Sequence, residues 1–193
     1  MARDSAEKVA MTDNSSAISV DIDSSTGDFA DAVTFSLKQL GLSQVILKEE
    51  QSSAIRAIYE GQDVFVCLPT GYGKSLCFHT LPFVMDHKLS RAGQRATAVL
   101  VISPLIALME DQVSGLKKRG VKASIITSTN STSVTKENIS TSKSLATDSL
   151  FFCAPEALVT SKWRDILGSS FSDRIVAVVV DEAHCVSKWY TFC

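Results

Sequence analysis

The sequence lacks a basic excess: 19 lysines and arginines stand against 21 aspartates and glutamates, a formal net charge of −2 at pH 7. No global footprint of a nucleic-acid binder is present, although a local basic groove is compatible with a near-neutral total. Prolines number only four and glycines nine in a chain that is 45% apolar, which excludes fibrous and wholly disordered classes. The five cysteines, at 67, 77, 153, 185 and 193, form no C-x-x-C pair, so free thiols in a reducing compartment are expected. His79, His87 and His184 have no cysteine or histidine at metal-ligand spacing, which argues against zinc. Long apolar runs are missing too. The longest, Ala96–Met109, is broken by Ser103 and Pro104 and falls short of the roughly 20 residues that cross a bilayer. No apolar segment accompanies the N-terminal charges Arg3, Asp4, Glu7 and Lys8, so a soluble, unsecreted, intracellular protein is expected.

What is present fits one domain of ordinary size, since 193 residues bury a real core but are too few for two full α/β domains. Residues 1–28 are rich in Ser, Asp, Thr and Asn and read as a disordered polar tail. A second polar tract, Ser128–Asp148, reads as a surface excursion, and the sequons at Asn130 and Asn138 within it are chance matches in a Ser/Thr-rich stretch. Between the tracts, strand-length apolar runs alternate with helical spacing: Val64–Leu68, Ala98–Ile102, Ala123–Ile126, Leu150–Cys153 and Ile175–Val180. Near-continuous runs of this kind suit strands buried on both faces. After Pro104, Leu105, Leu108, Val113 and Leu116 predict a helix that stops at Gly120, with Lys117, Lys118 and Arg119 at its negative end. The repeat predicts an α/β fold, a parallel sheet with right-handed crossovers and helices on both faces, whose ligands collect at the carboxyl ends of the strands.

Directly after the first run comes Pro69-Thr70-Gly71-Tyr72-Gly73-Lys74-Ser75, followed by the helix-spaced Leu76, Cys77 and Phe78. A phosphate needs several N–H donors converging on it, and glycines before a helix N-terminus let the backbone supply them. Lys74 offers a point charge to the β- and γ-phosphates, and Ser75 a hydroxyl to magnesium. The general pattern G-x-x-x-x-G-K-[ST] places glycine where this chain has Leu68. Taken alone, Gly-Lys-Ser is also compatible with a glycine turn that merely caps a helix. At the end of the last run stand Asp181-Glu182-Ala183-His184, whose two carboxylates leave the sheet edge expected to hold the loop. Asp181 would hold magnesium and Glu182 would orient and deprotonate the attacking water. An isolated Asp-Glu after a strand also suits a helix N-cap.

Together these residues resemble the RecQ-type DNA helicases of helicase superfamily 2, over roughly Leu40 to Trp189. Leu47-Lys48-Glu49-Glu50-Gln51-Ser52-Ser53-Ala54-Ile55 is similar to that family's motif 0, with Leu47-Lys48 where the family usually has Phe-Arg. The resemblance implies that Gln51 reads the adenine edge, assisted by Lys48; an amide matches N6 and N7 of adenine. In isolation Gln51 reads equally as a solvated helix glutamine. Val101–Gln112 resembles motif Ia, which implies that Ser103, Pro104 and the helix start touch a DNA phosphate. Phe151–Leu158 carries the Pro-Glu-x-Leu signature, a strand-to-helix junction with Glu156 at the helix start. Cys185-Val186-Ser187-Lys188-Trp189 after the acidic box is the stretch that separates RecQ-like proteins from RNA helicases, and it implies a DNA-coupling role for Trp189. Trp189, Tyr190 and Phe192 also read as simple core aromatics.

The fold implied is a P-loop NTPase (RecA-like) lobe over residues 29–193, incomplete and without its second lobe. ATP and Mg²⁺ are the implied cofactors, bound by Lys48, Gln51, Thr70, Gly71, Tyr72, Gly73, Lys74 and Ser75, with Ser75 and Asp181 on the metal and Glu182, Lys74 and Asp181 catalytic. The implied partner is DNA, as single strand or fork, and the implied compartment is the nucleus if the source is eukaryotic. The sequence stops at Cys193 before the family's Gly-His-Asp-Phe-Arg continuation, so a fragment of a 3′-to-5′ helicase that does not unwind alone is expected. The competing expectation is a catalytically dead nucleotide- and DNA-binding module that acts by interaction.

Overall fold

The computed structural model describes residues 25–91, 96–126, 146–158, 160 and 171–183. Residues 1–24 of the expected tail lie outside these, and Ser25–Asp28 instead open helix α1 (Ser25–Gln39). Phe29, Ala32, Leu37 and Leu40 recur on one side of it and are buried. Helices α2 (Glu49–Tyr59), α3 (Lys74–Lys88) and α4 (Ile106–Lys118) follow the same logic, each with an apolar stripe in one shared core.

All four helices end in the same way. Beyond α1, the Leu42 N–H donates to the Leu37 carbonyl and the Gly41 N–H to that of Lys38, around a left-handed Gly41. Gly61 closes α2 and Gly120 closes α4 with the same pair of bonds, so each glycine sits where a left-handed residue satisfies the orphaned helix carbonyls. In α3 the left-handed position falls on Ser90, with φ 49°.

Strands β1 (Ala98–Ile102), β2 (Ala123–Ile126), β3 (Leu150–Cys153) and β4 (Ile175–Val180) form a parallel sheet in the order β2-β3-β1-β4. Their limits coincide with four of the five apolar runs. In register, Val101 faces Phe152 on one side and Val179 on the other. Alternation divides the strands between two layers: Val99, Val101, Leu150 and Phe152 join the core under α1–α4, while Leu100, Ile102, Phe151 and Cys153 pack with Ala157 and Phe171 on the opposite face. There the described cover is the single helical turn Pro155–Leu158 and the lead-in to β4.

Two expectations need correction. Val64–Leu68 is not in the sheet; Val64, Val66 and Leu68 are half-buried, whereas Phe65 and Cys67 are exposed. A strand exists through its ladder, and among the described residues β4 pairs only with β1, which leaves Val178 58% exposed on the open edge. Leu105 does not share the buried stripe of the helix it was expected to open: it is the N-cap of α4 and 57% exposed, and the buried residues of that helix are Met109, Val113 and Leu116.

A buried polar network binds the ends of these elements. The Asp86 carboxylate, at the end of α3, accepts the Thr97 N–H at 2.6 Å, and the Thr97 hydroxyl donates to the Pro82 carbonyl at 2.6 Å. Arg174 donates from Nε to the Ala96 carbonyl and from its terminal nitrogen to that of Asp148. Asp148, the last residue of the polar tract, is therefore buried rather than displayed, while residues 128–145 of that tract lie outside the described residues.

Candidate functional site

The loop Pro69–Gly73 leads straight into α3. Its two glycines have left-handed backbones, φ 79° at Gly71 and 90° at Gly73, and Gly73 is the N-cap. A glycine has no side chain to cap with, so the first N–H groups of α3 have no capping side chain. This is the arrangement that suits an anion at a helix N-terminus. Ser75 stands half-buried in the first turn, and Thr70 is exposed at the loop.

Gln51 is held against this loop. It is only 4% exposed and occupies the third position of α2. Its Oε1 accepts the Lys48 N–H at 2.9 Å, which is the N3 half of a capping box, and its Nε2 donates to the carbonyls of Tyr72 and Gly73, both at 3.1 Å. Gly73 suits the site in space as well as in φ: a Cβ at this position would lie 2.8 Å from Gln51 Nε2, and the amide would have to swing aside. At Gly71 a Cβ would meet nothing within 4 Å.

A second tie joins the same two elements. The Tyr72 hydroxyl donates to Glu50 Oε2 at 2.7 Å, and Lys48 Nζ lies 3.6 Å from the centre of the Tyr72 ring. That bond holds the Glu50 carboxyl below its usual range. Glu50 is the residue that sequence reasoning passed over. Its signal was its place beside Gln51 in the acidic first turn of α2, but nothing local pairs it with a tyrosine 22 positions on.

Lys74 Nζ donates to the carbonyls of Leu68 at 2.8 Å and Pro69 at 3.2 Å, so the ammonium lies across the base of the loop. Asp181 follows β4, and its N–H bonds the Ile102 carbonyl, extending the ladder by one residue. Burial, and then repulsion from Glu182, push the Asp181 carboxyl above its usual range, against the pull of the Glu182 N–H and the Lys74 charge. Glu182 is one of two non-glycine residues with positive φ among the described residues, at 55°, and its N–H donates to Asp181 Oδ1 at 3.1 Å. A left-handed glutamate costs of order 1–3 kcal/mol, and such strain concentrates at functional sites.

The fold therefore brings Lys48, Gln51, Tyr72, Gly73 and Lys74 into one cluster, with Asp181 within electrostatic reach. It does not put Ser103 on the surface. That residue is 1% exposed at the carboxyl end of β1, its hydroxyl has no partner, and its N–H bonds the Cys153 carbonyl. Pro104 is half-buried beside it. Trp189 and the Cys185–Trp189 stretch lie outside the described residues. No group of three or more His, Cys, Asp or Glu suited to a metal is found among the described residues, and none of the described helices is long and apolar enough to cross a membrane. A cavity of about 460 Å³ lined by Tyr59, Asp86, His87 and Lys88 lies at the far end of α3 from Lys74 and is separate from this cluster.

Comparison with known proteins shows the family. The DEAD/DEAH box helicase family matches residues 48–192. The chain is 36% identical over 144 residues to the ATP-dependent helicase SGS1 of Saccharomyces cerevisiae, covering 74% of this chain and 10% of that protein. It is 39% identical over 142 residues to ATP-dependent DNA helicase Q5 of Rattus norvegicus, covering 72% and 14% respectively. With ATP-dependent DNA helicase RecQ of Haemophilus influenzae the identity is 31% over 144 residues, 74% of this chain and 21% of that one. The chain thus spans between 10% and 21% of the length of these three relatives. Among solved structures it aligns with the DUF1998 helicase MrfA bound to DNA and AMPPNP, at TM-score 0.54 and 18% identity, over 81% of this chain and 21% of that one. At that identity the likeness concerns the fold, a helicase lobe with a parallel sheet.

Proposed function

We propose, from the premise that this chain belongs to the DEAD/DEAH box helicase family with RecQ-type DNA helicases as relatives, that it is the ATP-binding lobe of a RecQ-like 3′-to-5′ DNA helicase. Joined to a second lobe, it couples ATP hydrolysis to strand separation; by itself it binds nucleotide and does not unwind. The observation that carries this reading is the convergence of Gln51, the glycine loop and Lys74 at one helix N-terminus, with the Asp181 carboxylate close enough to feel the Lys74 charge.

The residues fit a triphosphate and its magnesium. Two left-handed glycines and an uncapped helix start offer backbone N–H groups to the phosphates, and Lys74 exchanges two carbonyls for phosphate oxygens. Asp181 and Ser75 supply the hard oxygen donors that magnesium takes. A repelling carboxylate pair with a half-buried member is the environment that a divalent cation relieves. When bound, the metal neutralises charge that develops on the transferring phosphoryl group. Glu182 orients and deprotonates the attacking water, and Gln51 with Lys48 takes the base. Ser103, Pro104 and Trp189 are assigned to DNA; the buried Ser103 hydroxyl reaches a phosphate once the β1–α4 turn shifts. A protein acting on DNA belongs in the nucleus of a eukaryotic source.

The test is hydrolysis of Mg·ATP with single-stranded DNA or RNA of equal length. Stimulation by DNA over RNA, lost in Glu182→Gln, supports the assignment. Equal or greater stimulation by RNA would assign the lobe to RNA, and turnover unchanged in Glu182→Gln would remove that residue from the chemistry.

A further inference from the structure

Gln51 has no spare donor. A primary amide offers two hydrogens and an oxygen with two lone pairs. Both Nε2 hydrogens are engaged by the carbonyls of Tyr72 and Gly73, while Oε1 accepts only from Lys48 N–H and keeps a lone pair. Reading an adenine edge takes one amide hydrogen for N7 and one oxygen lone pair for the N6 amino group. The oxygen can do this as it stands. The nitrogen has to release a loop carbonyl first.

Release of either carbonyl loosens the crest of the phosphate loop from α2 at the moment when a triphosphate needs that loop in place. A separate tie across the same gap does not involve the amide: the Tyr72 hydroxyl on Glu50 Oε2, under the Lys48 ammonium. Glu50 and Gln51 are adjacent in α2, and Tyr72 and Gly73 are adjacent in the loop, so the tie and the amide bonds span the same two backbones side by side. We propose, building on the nucleotide reading above, that Tyr72 is a positioning residue for base selection: its bond to Glu50 holds the phosphate loop to α2 while Gln51 exchanges a loop carbonyl for the base. Selectivity for a 6-amino purine nucleotide then depends on a residue that does not touch the base. A charged acceptor and a 2.7 Å separation make this the stronger kind of hydrogen bond, so its loss is felt as about a tenfold change in affinity.

The test is equilibrium binding of ATP, inosine triphosphate and inorganic triphosphate, each with magnesium, to the 193-residue chain and to its Tyr72→Phe and Glu50→Gln variants. Tyr72→Phe keeps the ring under Lys48, and Glu50→Gln keeps the size of a half-buried side chain in the first turn of α2, so both variants fold; matched thermal unfolding verifies this. The expected result is a preference of the unaltered chain for ATP over inosine triphosphate that falls about tenfold in either variant and no further in the double variant, with inorganic triphosphate unchanged within about twofold. An ATP preference unchanged in both variants would overturn the proposal while leaving the nucleotide site intact. An equal loss for all three ligands would make Tyr72 a general support of the loop and would also overturn it. Absence of ATP binding by the unaltered chain would remove the nucleotide reading itself.

Discussion

Alanine at Gly73 meets two obstacles, whereas alanine at Gly71 meets one. Both positions have left-handed backbones, φ 90° and 79°, and a Cβ there costs about 1–2 kcal/mol. At Gly73 the added carbon also falls 2.8 Å from Gln51 Nε2, and the amide has to swing away from the carbonyls of Tyr72 and Gly73. Each of those bonds contributes about 0.5–1.5 kcal/mol, so Gly73→Ala is expected to cost about 2–5 kcal/mol and Gly71→Ala about 1–2. Urea unfolding at pH 7 measures both, with equal m-values as the sign that only stability has changed. Because the second cost acts through Gln51, Gln51→Ala added to Gly73→Ala is expected to cost less than it does in the unaltered chain. Equal destabilisation by the two glycine substitutions would refute the claim that Gln51 fastens the loop.

Acid is expected to weaken the fold through His79. Burial lowers its pKa from 6.5 to about 4, opposed by the bond to Gln112 and reinforced by Arg119. A depressed histidine stays neutral when folded and takes up a proton when unfolded, so its contribution is complete above pH 6.5 and is lost as the pH falls towards 4. The gap amounts to about 3 kcal/mol. His79→Gln should therefore gain stability relative to the unaltered chain across that window in denaturant titrations, and parallel pH profiles would contradict this. Ser90 closes α3 at φ 49°, where the other three helices use glycine. Ser90→Gly is expected to stabilise by about 0.5–1 kcal/mol, after the greater freedom of glycine in the unfolded chain, and to raise the melting temperature by about 1–3 °C. A fall in melting temperature would count against the shared helix stop.

The elements that sequence reasoning reached are those whose signals are local. Ala98–Ile102 and Ile175–Val180 are continuous apolar runs, and α4 lies between Pro104 and Gly120, so their limits follow from composition. Val64–Leu68 has the same composition but no ladder, because pairing belongs to a neighbour and not to the strand itself. Leu105 fits the helical spacing yet caps the helix and faces outward. In the candidate site the glycine loop and the acidic pair stand out in the sequence as residue types at the ends of apolar runs. The engagement of Gln51 by loop carbonyls does not, nor does the Tyr72–Glu50 bond, since these join residues whose meeting depends on how α2 packs against the loop and α3, while the local bonds of Lys74 to Leu68 and Pro69 depend on the fold-back of the loop that residue types do not specify. The burial of Ser103 was equally hidden, because a serine before a proline reads as a surface turn until β3 covers it.

Whether the loop at Thr70–Ser75 holds a triphosphate is tested most directly by calorimetric titration of Mg·ATP into the 193-residue chain and its Lys74→Ala variant. The expected result is saturable binding that needs magnesium and weakens about tenfold or more when the Lys74 charge is removed. Binding of equal strength by the two proteins would contradict the assignment of this loop as the phosphate site.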